Sequence, residues 1–125
     1  MSHELALEFL PSINLGQLCC PLCATLFEPW STVALLDDGD VPMGYLCERC
    51  FMTGPHAAAQ TMRERTLDLR GFVLRARTNL TQPAWLKLLL AMQERIDHWD
   101  LLADRVDQLS WWQLKGSDSD HGSAA

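Results

Sequence analysis

Three hydrophobic rhythms run along the chain, and each predicts a different element. From Trp85 onward, apolar residues recur at alternating steps of four and three: Trp85, Leu89, Met92, Ile96, Trp99, Ala103 and Val106. This heptad-like seam predicts a helix from Gln82 or Pro83 to Leu114, with Thr81 as N-cap and Lys115-Gly116 as the stop. Upstream, Met62, Leu69 and Ala76 recur every seven residues, with Val73 and Leu80 beside them. They predict a first helix that opens at Gly54-Pro55, where proline suits the first turn, and runs to about Arg77. The short break at Thr78-Asn79-Leu80 folds the two helices into an antiparallel hairpin. At 1.5 Å per residue the first helix is roughly 35 Å long and the second roughly 50 Å. The second should therefore overshoot its partner, bringing Leu109, Trp111, Trp112 and Leu114 against the N-terminal half or another chain.

The second rhythm is that of strands. Ser31 to Leu36 is rich in β-branched and aliphatic residues, Asp37-Asp38-Gly39-Asp40 is a turn sequence, and Val41 to Leu46 follows. The expectation is strand, turn, strand, with Pro42 and Gly44 placing the second strand at an edge or keeping it short. The third rhythm is the apolar lead-in, where Leu5, Leu7, Phe9, Leu10, Ile13 and Leu15 are broken by Pro11 and Gly16. It is too apolar for a free tail and is expected to pack on something. The parts read as a lead-in (1–18), a cysteine-bearing head (19–53), a helical hairpin (55–114) and a small, polar tail (115–125) expected to be disordered. The fold class is α+β, mostly α: a small zinc-ribbon-like β-hairpin head followed by a long helical hairpin.

Composition narrows the class. With 125 residues and 48% apolar content the chain is one globular unit. No apolar run is long enough to span a bilayer, and Glu4 and Glu8 near the start do not make a secretory signal, so no membrane role and a cytoplasmic location are expected. The net charge of −6 is unevenly spread. Residues 1–50 hold one Arg against seven acids, 51–92 hold six basic groups against two acids, and 93–125 hold three against seven. Only the middle block could attract phosphate.

Five cysteines in a reducing compartment argue against a disulfide framework. Four of them form two matched pairs, Cys20-Pro-Leu-Cys23 and Cys47-Glu-Arg-Cys50. A pair at this spacing turns the chain tightly and aims two thiolates at one point, and two pairs complete a tetrahedron. The strand–turn–strand between them returns the chain so that the pairs can meet. The expectation is one structural Zn²⁺ held by Cys20, Cys23, Cys47 and Cys50, although an iron centre would use the same four sulfurs. Four protein ligands close the shell, whereas a catalytic zinc keeps a position open. Cys19, which would give a wider spacing, reads as a small buried thiol. Trp30 is expected to cover the metal.

Cys20-Pro-Leu-Cys23 and Gly44-Tyr-Leu-Cys47-Glu-Arg-Cys50 together resemble the zinc-ribbon and treble-clef class of four-cysteine zinc fingers. The resemblance covers about 35 residues and implies metal binding, not a particular family. In a treble clef the second pair opens a helix directly. Here Thr53-Gly54-Pro55 interrupts, which favours a ribbon, or a single helical turn followed by a break. The spacing also resembles the zinc head of some bacterial antitoxins, but those continue into a helix-turn-helix, which the long heptad-like helix does not fit.

Outside the head, Arg63, Arg70 and Arg77 recur every seven residues, with Leu67 and Leu74 beside them. They form either a basic, partly apolar partner surface or a solvated flank bonded to Asp97, Asp100, Asp104 and Asp107. His3, His56, His98 and His121 have no ligand spacing, and no nucleophile–base arrangement, phosphate loop or acid–base pair stands out, so no enzyme and no small-molecule substrate are expected. The leading expectation is an adaptor or regulator that contacts another protein, or itself, through Arg63, Leu67, Arg70, Leu74, Arg77, Trp111 and Trp112. The alternatives are nucleic-acid binding through the Arg-rich first helix and, third, a thiol-redox or metal-responsive switch at Cys19.

Overall fold

The computed structural model describes residues 4–12, 15–29, 31–79 and 82–115. The expected roles of Trp30, Leu80, Thr81, Gly116 and the tail fall outside these residues. The chain folds as a small β head followed by two packed helices, the α+β, mostly α class read from the sequence.

The predicted hairpin forms as β4 (Thr32–Asp38) and β5 (Val41–Leu46), paired antiparallel around the Gly39-Asp40 turn. The pairing slips between Leu36 and Asp37, opposite the Pro42–Gly44 stretch. This strand does lie at an edge, because the sheet order is β1-β4-β5. The third member, β1 (Leu5–Pro11), is the apolar lead-in, paired antiparallel with β4 from Leu5 opposite Asp38 to Pro11 opposite Thr32. Leu5 and Leu7 point to one face and are buried with Leu36, as strand alternation requires. A two-stranded ladder, β2 (Leu18–Cys19) with β3 (Leu26–Phe27), brackets the first cysteine pair.

A short helix, α1 (Glu48–Thr53), starts at the second pair and ends at Gly54, whose φ of 96° is left-handed. Pro55 then opens α2 (Pro55–Asn79), which runs antiparallel to α3 (Pro83–Asp107). Their seam matches the heptad reading over most of its length: Met62, Val73 and Ala76 are buried against Leu89, Ile96, Ala103 and Val106. Trp85, at the open end, is exposed.

One expectation about α3 fails. The helix stops at Asp107 instead of Leu114, and both long helices have 25 residues, roughly 37 Å each, so neither overshoots the other. Beyond Asp107 the backbone tightens, with Gln108 donating to Asp104 and Leu109 to Val106, and the chain then turns onto the head. Leu7 N–H donates to Gln113 O at 2.7 Å, and Lys115 N–H to Leu7 O at 2.6 Å, so the terminal segment pairs with the outer edge of β1. Trp112 is buried in the head, and its Nε1 donates to Phe51 O at 3.1 Å. A continued helix would have left both the strand edge and this tryptophan in water.

Among the described residues the buried apolar side chains gather in two clusters. The larger joins the head to the base of the hairpin and contains Leu7, Leu22, Leu36, Leu46, all four paired cysteines, Met62, Val106 and Trp112. The smaller, at the far end of the hairpin, contains Val73, Ala76, Leu89 and Ile96.

Candidate metal centre

The first cysteine pair sits in a tight knuckle. Cys20 N–H donates to Thr25 O at 3.0 Å and Ala24 N–H to Cys20 O at 2.8 Å, with Ala24 itself at a φ of 61°. Leu22, between the cysteines, is fully buried and anchors the knuckle in the core. The second pair is set by α1: Cys47 is its N-cap, and Cys47 Sγ accepts from Cys50 N–H at 3.4 Å. The second pair thus opens a short helix that the Gly54-Pro55 break ends after six residues, in line with the alternative of a brief helical turn followed by a break. Strand β5 brings the pairs together by passing close to the first knuckle. A Cβ at Gly44 would stand 3.3 Å from the Pro21 ring, so the absence of a side chain there allows the approach.

Cys20, Cys23, Cys47 and Cys50 are all buried, and their sulfurs lie within 4.8 Å of one another. Cys20 and Cys50 are 3.8 Å apart, and Cys23 and Cys47 are 3.6 Å apart. A disulfide requires about 2.05 Å. A tetrahedron with metal–sulfur bonds of about 2.3 Å has sulfur–sulfur edges of about 3.8 Å. The four side chains therefore fit a shared metal ion and do not fit two disulfides.

The charge chemistry agrees. As free thiols Cys20, Cys47 and Cys50 resist ionising together. The hydrogen bond with Cys50 brings Cys20 down to about 5. Burial pushes Cys47 up to about 11. Cys50 is raised far above the usual thiol range by its bond to Cys20 and by burial. Several buried thiolates at these distances need a cation between them. Cys19, expected to be buried, is instead exposed and outside this group. Its Sγ lies 3.5 Å from Ala24 O, and its side chain points away because neighbouring residues of a strand face opposite ways.

The remaining candidate residues are not gathered at one place. Arg63 bonds Asp104 at 2.7 Å and Asp107 at 2.8 Å, and Arg70 bonds Asp97 at 2.9 Å and also Asp100. His56 Nδ1 meets the other Asp107 oxygen at 2.5 Å. For these two arginines the flank-bonding alternative is the one observed, a ladder tying α2 to α3. Burial by itself would raise Asp100, but bonds from Thr66 and Arg70 outweigh it and hold the carboxyl below its usual range. Asp107 is lowered by Arg63 and His56. Arg77 is exposed near the end of α2, and Leu67 and Leu74 are 71% and 67% exposed. Trp112 lies in the head core, and Trp111 packs on Gly54, where a Cβ would come within 2.5 Å of its ring.

Sequence reading missed Phe51, which stacks edge-on with Phe9 at 5.6 Å and gives its carbonyl to Trp112. Its position directly after Cys50 was the available signal. It also missed the bidentate Arg105–Asp38 pair, 2.7 Å on both oxygens, that fixes α3 to β4.

No protein-family model, curated protein or solved structure matches the chain.

Proposed function

We propose that this protein is a non-enzymatic, zinc-stabilised adaptor or regulatory module whose helical hairpin makes protein–protein contacts. The observation that carries the reading is the division of labour between the two ends of the molecule. The four buried thiolates would close a tetrahedral shell around one Zn²⁺, leaving no position for water or substrate, so the metal would serve folding. The hairpin, by contrast, holds out large apolar side chains that its own packing does not cover, Leu67 and Leu74 among them. A zinc-fixed head with a projecting helical surface is suited to holding a partner.

The nucleic-acid alternative is weakened by the ladder. Arg63 and Arg70 already carry two acids each, so the basic stripe offers phosphate little uncompensated charge.

Affinity capture with the full metal-loaded chain, analysed by mass spectrometry, tests the reading. A specific protein should be enriched and then lost in the Leu67→Gln/Leu74→Gln variant while metal content is unchanged. Salt-sensitive binding to single- or double-stranded nucleic acid, abolished by Arg77→Glu, would replace this reading with the alternative.

A further inference from the structure

The far half of the hairpin is underpacked for its composition. Its core is only Val73, Ala76, Leu89 and Ile96, with Leu69 and Met92 packed against it. Around it Phe72, Leu74, Trp85, Leu86, Leu88 and Leu90 remain exposed. Trp85, Leu86, Leu88, Leu89 and Leu90 cover an arc of about 200° around the first turns of α3, wider than the stripe one packed neighbour needs.

These side chains fall on two sides: Leu74, Leu86 and Leu90 lie within about 40° of Arg70 or Asp97, and Phe72, Trp85 and Leu88 lie away from them. Phe72 is two residues beyond Arg70, and Leu88 is nine before Asp97, which places each roughly 180–200° around its helix from the ladder. On this opposite flank α2 carries Leu69, Phe72 and Ala76, and α3 carries Trp85, Leu88 and Met92, each set at steps of three and four. No charged residue belongs to either stripe. Phe72, Trp85 and Leu88 are 49%, 45% and 50% exposed. Together these three leave on the order of 250 Å² of apolar side chain in water. That is about half the apolar area one partner contributes to a standard interface of roughly 800 Å² per side, the scale of a weak, concentration-dependent contact.

We propose that a second copy of this chain covers the flank, packing antiparallel so that two hairpins complete a four-helix arrangement with Phe72 near the two-fold axis. The charges beside the stripe fit this occupant. Asp68 and Arg75 are both exposed, four residues before and three after Phe72 on α2. A two-fold axis through Phe72 sets Asp68 of each copy against Arg75 of the other, the reciprocal pattern of an isologous interface. Each copy then supplies both an apolar stripe and its own charge complement.

The inference rests on the reading of the hairpin as a contact surface, and sedimentation of the full metal-loaded chain at tens of micromolar tests it. The expected particle has twice the 14.1 kDa chain mass. Phe72→Glu should give a monomer with unchanged metal content. Asp68→Arg and Arg75→Asp should each raise the dissociation constant about tenfold, and the double reversal should restore it. A wild-type monomer, a dimer that survives Phe72→Glu, or charge reversals that do not compensate would each overturn the proposal. A monomer whose captured partner is lost in Leu67→Gln/Leu74→Gln would sink self-association and leave the adaptor reading standing. A monomer that captures nothing would sink both.

Discussion

The head and the far half of the hairpin solve the same problem in opposite ways. Each is too small to bury a generous core. The head compensates by convergence: three strands, a knuckle, a short helix and the terminal segment meet around four sulfurs, and Leu7, Leu22 and Leu36 are almost completely enclosed. Among the described residues the far hairpin has two helices with nothing packed on either side, so Val73, Ala76, Leu89 and Ile96 carry the burial while larger side chains stay outside. The structural element is thus also the chemical one, whereas the exposed apolar surface belongs to the element farthest from the sulfurs. Stability in this chain is expected to decline with distance from the sulfurs.

Metal removal should test that gradient with the largest effect. Structural zinc contributes on the order of 10 kcal/mol or more to the folding of small fingers. Chelation, or Cys50→Ser, is expected to abolish hydrogen-exchange protection in β4, β5 and α1 while residues 83–96 of α3 change far less. Equal loss at both ends would make the molecule one cooperative unit and erase the contrast. Next in size, Leu36→Ala in the head should cost about 2–5 kcal/mol by urea denaturation, because it empties an enclosed site. Leu67→Ala, at an exposed position, should stay within about 0.5 kcal/mol. Comparable losses would show that Leu67 is already covered in solution.

Gly54→Ala probes the joint between the two regions. The substitution places a side chain on a left-handed residue and against the Trp111 ring, so a loss of about 1–3 kcal/mol is expected, together with a change in tryptophan fluorescence. Unchanged fluorescence would mean that Trp111 does not rest on this turn.

The smallest effect belongs to the ladder. Asp100 and Asp107 are held below the ordinary carboxylate range, so their contribution is full above about pH 4 and is lost as pH falls through their lowered values. The stability gap between the wild type and Arg63→Gln/Arg70→Gln should be constant near neutrality and narrow in acid. Taking the difference removes the separate acid sensitivity of the thiolates. A gap that widened in acid would contradict the depressed values.

Much of this was legible in the residues. The paired cysteines, the Asp-Gly turn and the three–four seam are local signals, each set by neighbours within one or two turns of chain. What escaped reading was non-local. Leu5 and Leu7 alternate as a strand should, but only β4, more than twenty residues away in sequence, makes them one. Leu109 to Leu114 suit a continuing helix, and only the unpaired edge of β1 and the free carbonyl of Phe51 draw them off it. The arginine stripe posed a different difficulty. Its spacing was plain, but surface and ladder share the same sequence pattern, and the choice depended on which acids the second helix brought level with it.

The central claim is that Cys20, Cys23, Cys47 and Cys50 hold one metal ion that folds the head. Native mass spectrometry of the full chain, compared with the same sample sprayed under denaturing conditions, addresses it directly. The account predicts one Zn²⁺ per chain in the native spectrum and a denatured mass with all five thiols reduced. A folded chain without metal, or a denatured mass four hydrogens light from two disulfides, would contradict it.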